Sequence, residues 1–217
     1  MNHLQTELQK LKTSTLEMMQ LVKQQLNKTS VAFLQFDKGL AREVIMTEKR
    51  VNSMELKIDR DCENIFLLTP MAVDLRFVIS VLKINSHLER MADNAEGICR
   101  YVAIAENPFN EKLIDCSQLR KMFAAADDML ASLISAFENE DAVLARKVLQ
   151  QDEQMDAMNH EAWKQVAAFI QQSQTDLPAS LNAHSFSRKV ERIGDLATNV
   201  AEEIIFYLEA KVMKHQG

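Results

Sequence analysis

A chain of 217 residues is long enough to bury a sizeable core, as one large domain or two small ones. Its formal charge of −6 at pH 7 argues against a nucleic-acid surface or an anionic membrane surface, either of which calls for a basic patch. With 47% apolar residues but only 4 Gly and 3 Pro, and with Leu, Ala, Met, Glu, Lys and Gln abundant, the composition favours helices joined by few short turns over any sheet.

The opening residues MNHLQTELQKLK are polar and periodic and carry no signal-peptide pattern. No apolar run approaches the roughly 20 residues a membrane span needs. Cys62, Cys99 and Cys116 are odd in number, widely spaced and without a C-x-x-C motif. They read as reduced packing thiols, and the expected compartment is the cytoplasm.

Apolar residues recur at helical spacing almost throughout. Leu4, Leu8, Leu11, Met18 and Val22 stripe a first helix over 3–35, which ends at the turn Phe36-Asp37-Lys38-Gly39. Val44, Val51, Met54, Ile58, Ile65 and Leu68 stripe a second over 39–68. Thr69-Pro70 reads as the start of a third helix over 70–105, with Thr as N-cap and Pro at the first helical position. Asn107–Asn110, Glu138–Asp141 and Ser173–Pro178 are the remaining turns. They leave helices over 112–137, 141–172 and 177–214. The prediction is an all-α fold of six long helices.

The chain repeats itself. LAREVI at 40–45 returns as LARKVL at 144–149, each preceded by a Phe and an acid, Phe36-Asp37 and Phe137-Glu138. Glu89 and Asp93 return as Glu191 and Asp195 at nearly the same offset. Two similar three-helix bundles follow, over 1–107 and 108–217.

The repeated acids sit awkwardly for a helix. In VERIGDLATNVAEEI, Glu191, Asp195 and Asn199 fall at i, i+4 and i+8, and like charges at that spacing repel by roughly 0.2–0.5 kcal/mol. LERMADNAEGI repeats the unit at Glu89 and Asp93, and the repeat aligns Glu48 and Asn52 with Asp152 and Asp156. Halfway between residues 50 and 91 lies Pro70-Met71, and halfway between 154 and 193 lies Ser173-Gln174. In antiparallel hairpins turning at those points, the pairs stand level with one another about 30 Å from each turn.

A solvated face is the ordinary reading of any one such pair, and a helical wheel places these acids off the core stripe or at its edge. Four pairs meeting two by two favour cation binding instead, because their mutual repulsion calls for protons or metal ions. All-oxygen donors suit hard cations such as Mg²⁺, Ca²⁺, Mn²⁺ or iron. Ala92 and Gly194, each just before the second acid of its motif, are small enough to let a neighbouring helix approach.

Other features are plain. His3, His87, His160, His184 and His215 are scattered, and no Glu-x-x-His motif of the ferritin-like di-iron kind occurs. There is no Gly-rich phosphate loop and no G-x-S-x-G, so an enzyme is not expected. Trp163 and the phenylalanines sit at helical spacing and read as core. Twelve methionines suit irregular gaps between helices.

ERIGD followed by Asn199 and Ala201-Glu202, the earlier ERMAD, and TPMAVDLR at 69–76 together resemble the PhoU family, over essentially the whole chain. The resemblance implies the same two-repeat, six-helix layout and metal clusters held by acidic helix motifs. Its metal ligands here would be Glu48, Asn52, Glu89, Asp93, Asp152, Asp156, Glu191, Asp195 and Asn199, with iron, manganese, magnesium or zinc as candidate ions. Asn52 departs from the pattern by offering an amide, which makes the first-half site the weaker on this count. Gly97 stands opposite Asn199, and Leu196 stands where the family often has His. Pro70, Ala72, Asp74, Leu75 and Arg76 match a family segment that implies a partner contact through Asp74 and Arg76. An acid in a first helical turn also serves simply to favour the positive helix end.

The resemblance further implies a cytoplasmic homodimer that binds no nucleic acid. It would link the phosphate transporter ATPase to the phosphate sensor histidine kinase and act as a negative regulator of the phosphate-starvation response. Its contact with the membrane would run through protein partners. Two rivals stand beside that reading, an accessory of a sodium–phosphate symporter and a metal-dependent hydrolase using the carboxylate clusters.

Overall fold

The computed structural model describes residues 3–172 and 177–212. They form α1 (His3–Gln35), α2 (Lys38–Phe66), α3 (Ala72–Ile104), α4 (Glu111–Cys116), α5 (Leu119–Asn139), α6 (Ala142–Gln172) and α7 (Leu177–Glu209). The all-α architecture matches the expectation, and no strand occurs among the described residues.

The two halves begin their second helices in the same way. Asp37 accepts a hydrogen bond from the Leu40 amide at 2.9 Å, and Asp141 accepts from the Val143 and Leu144 amides at 2.8 and 3.0 Å. A side-chain oxygen here satisfies a backbone donor that no helical carbonyl can reach. The preceding residues Phe36 and Glu140 are left-handed in both, at φ 54° and 55°. Phe36 and Glu140 are therefore the structural counterparts, rather than Phe36 and Phe137. Gly39 lies inside α2, and the turn closes one residue earlier than its glycine suggested.

Three other boundaries differ from the sequence reading. Thr69 does not cap a helix. It takes the left-handed region at φ 54°, and α3 starts only at Ala72, behind Met71, which gives no side-chain cap. The helix expected over 112–137 is two, because Gln118 turns left-handed at φ 55° between α4 and α5. There the Ser117 hydroxyl bonds the Ile114 carbonyl at 2.8 Å and the Gln118 amide bonds the Asp115 carbonyl at 3.1 Å. The last helix stops at Glu209, short of residue 214, and residues 173–176 and 213–217 lie outside the described residues.

Helices α1, α2 and α3 form one antiparallel bundle and α5, α6 and α7 form the second, with the short α4 packed on the second. The bundles share one apolar core, because α3 packs against α7 and α1 against α5. An aromatic knot closes each end of that core. Phe33 packs with Phe109, Phe123 and Phe186 at one end, while Phe77, Phe137 and Tyr207 pack together at the other. Ion pairs cross the seam at its edges, including Lys23–Asp127 between α1 and α5 and Lys83–Glu203 at 2.8 Å between α3 and α7. Cys62 and Cys99 are buried and free, and burial pushes their thiols up to about 12 and about 11. Both are therefore packing groups rather than nucleophiles.

Phe137 is fully buried against Phe77 and Tyr207. We expect Phe137→Ala to lower unfolding stability by about 3–5 kcal/mol in chemical denaturation, because it leaves a cavity the helices cannot close. Met46→Ala, on a side chain 74% exposed, should stay within about 0.5 kcal/mol.

Candidate metal centre

Each antiparallel hairpin brings its two acidic stretches level, as the midpoints require. Between α2 and α3, carboxylate oxygens of Glu48, Glu89 and Asp93 lie within 4.8 Å of one another. Between α6 and α7, those of Asp152, Asp156 and Asp195 do the same. Glu191 stands beside the second group close enough for Asp195, Asp156 and Asp152 to act on its charge. Of the two amides, Asn52 is exposed and Asn199 half-buried.

The first group grades from core to solvent, while the second has Asp152 and Asp195 half-buried and Asp156 exposed. In the first, Glu48 is buried, Glu89 is half-buried and Asp93 is exposed. Glu48 receives a hydrogen bond from Gln25 of α1 on Oε2 at 3.3 Å, while its Oε1 is buried without a hydrogen-bond partner among the described residues. Buried carboxylates normally find donors or cations, because an uncompensated one costs several kcal/mol. Burial pushes Glu89 up to about 7, and Asp93, Glu55 and Glu48 add to the push. Burial likewise raises Glu48, opposed by Gln25 and reinforced by Asp93 and Glu96. In the second group burial raises Glu191, with Asp195, Asp156 and Asp152 adding and Arg188 opposing. A cation of two or more charges among these oxygens would remove the repulsion and occupy the orphaned Glu48 oxygen, so the donor chemistry suits the hard ions its resemblance implied.

Glycine helps build the second group. A Cβ on Gly194 would meet Met155 Cγ at 3.1 Å and Asp152 Oδ1 at 3.7 Å, so the bare α-carbon lets α6 bring Asp152 up against α7.

Two further acids stand on the same faces, and no motif in the sequence marks them. Glu55 follows Glu48 by seven residues and Glu96 follows Glu89 by seven, two helical turns along the same face. Burial raises Glu55, with Asp59 and Asp93 adding, and Glu96 is 7% exposed and holds Arg100 at 2.7 Å. Glu55 changes the charge count. Where the second half has Asp156 and Asn159, the first has Asn52 and Glu55, so the missing charge is displaced by about one turn rather than lost.

Trp163, which helical spacing places in the core, is instead 55% exposed and packs against the His184 ring at 5.5 Å. It lines an open groove of about 470 Å³ with Asp156, His160, His184, Arg188 and Glu191, beside the second carboxylate group. Helical spacing could not distinguish it from a buried residue, since it lies on the edge of the α6 stripe.

Asp74 and Arg76 stand on the first turns of α3, both half-buried, and do not pair with each other. Asp74 sits where an acid stabilises the helix start. The Arg76 Nε is buried without a hydrogen-bond partner among the described residues.

A repeated three-helix unit with carboxylates matched across each hairpin defines a class of all-α proteins built from two tandem acidic bundles. The PhoU domain model matches the chain twice, over residues 15–102 and 119–204. The phosphate-specific transport system accessory protein PhoU of Edwardsiella tarda is 31% identical over 212 residues, covering 97% of this chain and 86% of that protein. Its counterpart in Escherichia coli K12 is 30% identical, with coverage of 97% and 87%. The crystal structure of the phosphate transport system regulatory protein PhoU from Streptococcus pneumoniae superposes with a TM-score of 0.88 at 28% identity, covering 98% of this chain and all of that one. That of PhoU from Pseudomonas aeruginosa gives 0.88 at 30% identity, with coverage of 95% and 99%. The chain belongs to the PhoU family of phosphate-transport accessory and regulatory proteins.

A carboxyl whose folded pKa lies above its ordinary value holds its proton more tightly when folded. Glu89 therefore contributes stability that is present below about 4.5 and lost as pH rises through about 7. We expect the metal-stripped protein to have a higher denaturation midpoint at pH 5 than at pH 8. Glu89→Gln, which is neutral at both, should flatten that difference; an undiminished difference would show that Glu89 does not set it.

Proposed function

We propose that this protein is a metal-binding regulator of phosphate uptake, working as an adaptor between the phosphate transporter and its sensor kinase. The observation that carries the reading is the likeness to phosphate-transport accessory proteins along nearly the whole chain. The same likeness supports a role for the transporter ATPase and the sensor histidine kinase as partners, and negative regulation as the output. The homodimer and the cytoplasmic location belong to this reading too. No helix among the described residues is long and apolar enough to cross a membrane, so contact with a transporter runs through protein surfaces. Its effect is a shift in a partner's state, set by the difference in affinity for two states of that partner.

In this reading Glu48, Glu89 and Asp93 hold one metal site and Asp152, Asp156, Glu191 and Asp195 the other, with Asn52 and Asn199 as outer oxygen donors. When bound, the ion supplies positive charge that neutralises the clustered acids. The chain's own contribution is to hold α2 beside α3 and α6 beside α7 at the spacing the donors need. Asp74 and Arg76 offer a contact face at the α2–α3 turn.

Calorimetric titration of the stripped protein with Mn²⁺ and Fe²⁺ tests the metal sites. We expect Glu191→Ala with Asp195→Ala to abolish uptake by the second half, and unchanged uptake would show that site wrongly assigned. Because Glu55 restores the charge Asn52 lacks, Glu55→Gln should weaken the first site by about tenfold.

A gene deletion tests the adaptor. Phosphate-starvation genes should stay on in rich phosphate, and a pull-down with the full chain should recover the transporter ATPase or the kinase. Normal repression with neither partner recovered would overturn the reading.

A further inference from the structure

The start of α3, the N-terminal part of α1, the α5–α6 turn and the last turns of α7 converge on one end of the molecule. There Leu8, Lys12, Asp74, Phe77, Glu140 and Tyr207 line a groove of about 410 Å³. Tyr207 is only 7% exposed, its ring edge-on to Phe77 at 5.3 Å, yet its buried hydroxyl has no hydrogen-bond partner among the described residues. A buried phenol ordinarily finds one, and leaving it unmet costs stability.

The charges around it are incomplete in the same sense. Lys12 and Glu140 satisfy each other at 2.7 Å. Asp74, half-buried, has no ion-pair partner among the described residues. One lysine against two acids leaves the lining with a net charge of −1. At the neighbouring hairpin tip, Leu67, Met71 and Val73 are 81%, 77% and 64% exposed. Single exposed apolar residues are ordinary, whereas several gathered beside a groove mark a contact surface.

We propose that this groove receives an arginine side chain of a protein partner, carried on an apolar segment that lies over the hairpin tip. The guanidinium is the group that meets Asp74, Tyr207 and Phe77 at once. It pairs two N–H groups with the Asp74 carboxylate, donates a third to the Tyr207 hydroxyl oxygen, and lays its flat face along Phe77. A lysine ammonium has the charge but neither the fork nor the face. The inference rests on the adaptor reading only in taking the occupant to be a protein, and it needs neither metal nor phosphate.

The test uses the full chain and a synthetic twelve-residue helical peptide of leucine and alanine with one central arginine. Its control carries citrulline, which keeps the shape and loses the charge. Titrations followed by NMR should show the arginine peptide binding at least fivefold more tightly, with shifts at Leu8, Val73 and Tyr207. Asp74→Asn should erase the preference. Tyr207→Phe should weaken the arginine peptide severalfold while leaving the unfolding midpoint unchanged or higher, since it removes an unmet hydroxyl. Equal binding of the two peptides, no binding of either, or a preference that survives Asp74→Asn would overturn the proposal. So would sedimentation showing a dimer that Val73→Asp dissolves, which would assign the face to a second copy of the chain. Because the experiment contains no transporter, kinase or metal, its failure leaves the regulator reading standing, and the reverse also holds.

Discussion

The antiparallel contact between α3 and α7 is the constraint on which the rest of the structure depends. Each helix must serve its own bundle and the seam between bundles together, so each presents a wide apolar face, and thirteen residues of α3 are buried against seven of α2. Fifteen residues of α7 are buried against five of α6. Outside that face, Glu191 and Asp195 occupy the strip of α7 turned toward α6. Glu89 and Asp93 occupy the matching strip of α3, turned toward α2. The seam thus decides where acids can stand, and the hairpins decide which acids they meet.

This explains what was legible in the sequence. The repeat, the helix faces and the meeting of Glu48 with Glu89 and Asp93 all follow from period and turn position, which are local quantities. So does the shared cap at Asp37 and Asp141, although only the turn residues and not the cap were picked out. What escaped was set by tertiary context. Thr69-Pro70 is a good start signal in isolation, yet the chain needs an extra left-handed step there to bring α3 back along α2. The break at Gln118 carries no glycine or proline, since the Ser117 hydroxyl and the Gln118 amide hold it by bonds that no composition reveals. Glu55 and Glu96 were readable at seven residues from named acids, but nothing in their spacing says that α2 and α3 stay close enough for them to count.

The two halves are alike in charge and unlike in surroundings. Asn52 with Glu55 in one half and Asp156 with Asn159 in the other keep the number of acids while moving one of them along the helix. Beside the second group, Trp163, His160, His184 and Arg188 open a groove. At the corresponding places the first half has Asp59, Leu56, Leu82 and Ser86, which offer no such set. Duplication has therefore retained the carboxylate geometry and released the residues around it.

The same layout says which parts can respond to charge. Repulsion among clustered carboxylates acts across the α2–α3 and α6–α7 gaps, not across the α3–α7 seam, which packed apolar residues hold. Among the long helices, α6 buries the fewest residues, five, and is the one least tied to the core. Its first turns carry Arg146, which holds Glu209 at the end of α7 through two hydrogen bonds at 2.9 and 2.5 Å. Glu209 lies two residues beyond Tyr207, and it is Tyr207 that lines the groove at that end. One ion pair therefore ties the helix that carries Asp152 and Asp156 to the end of the molecule where Asp74 stands.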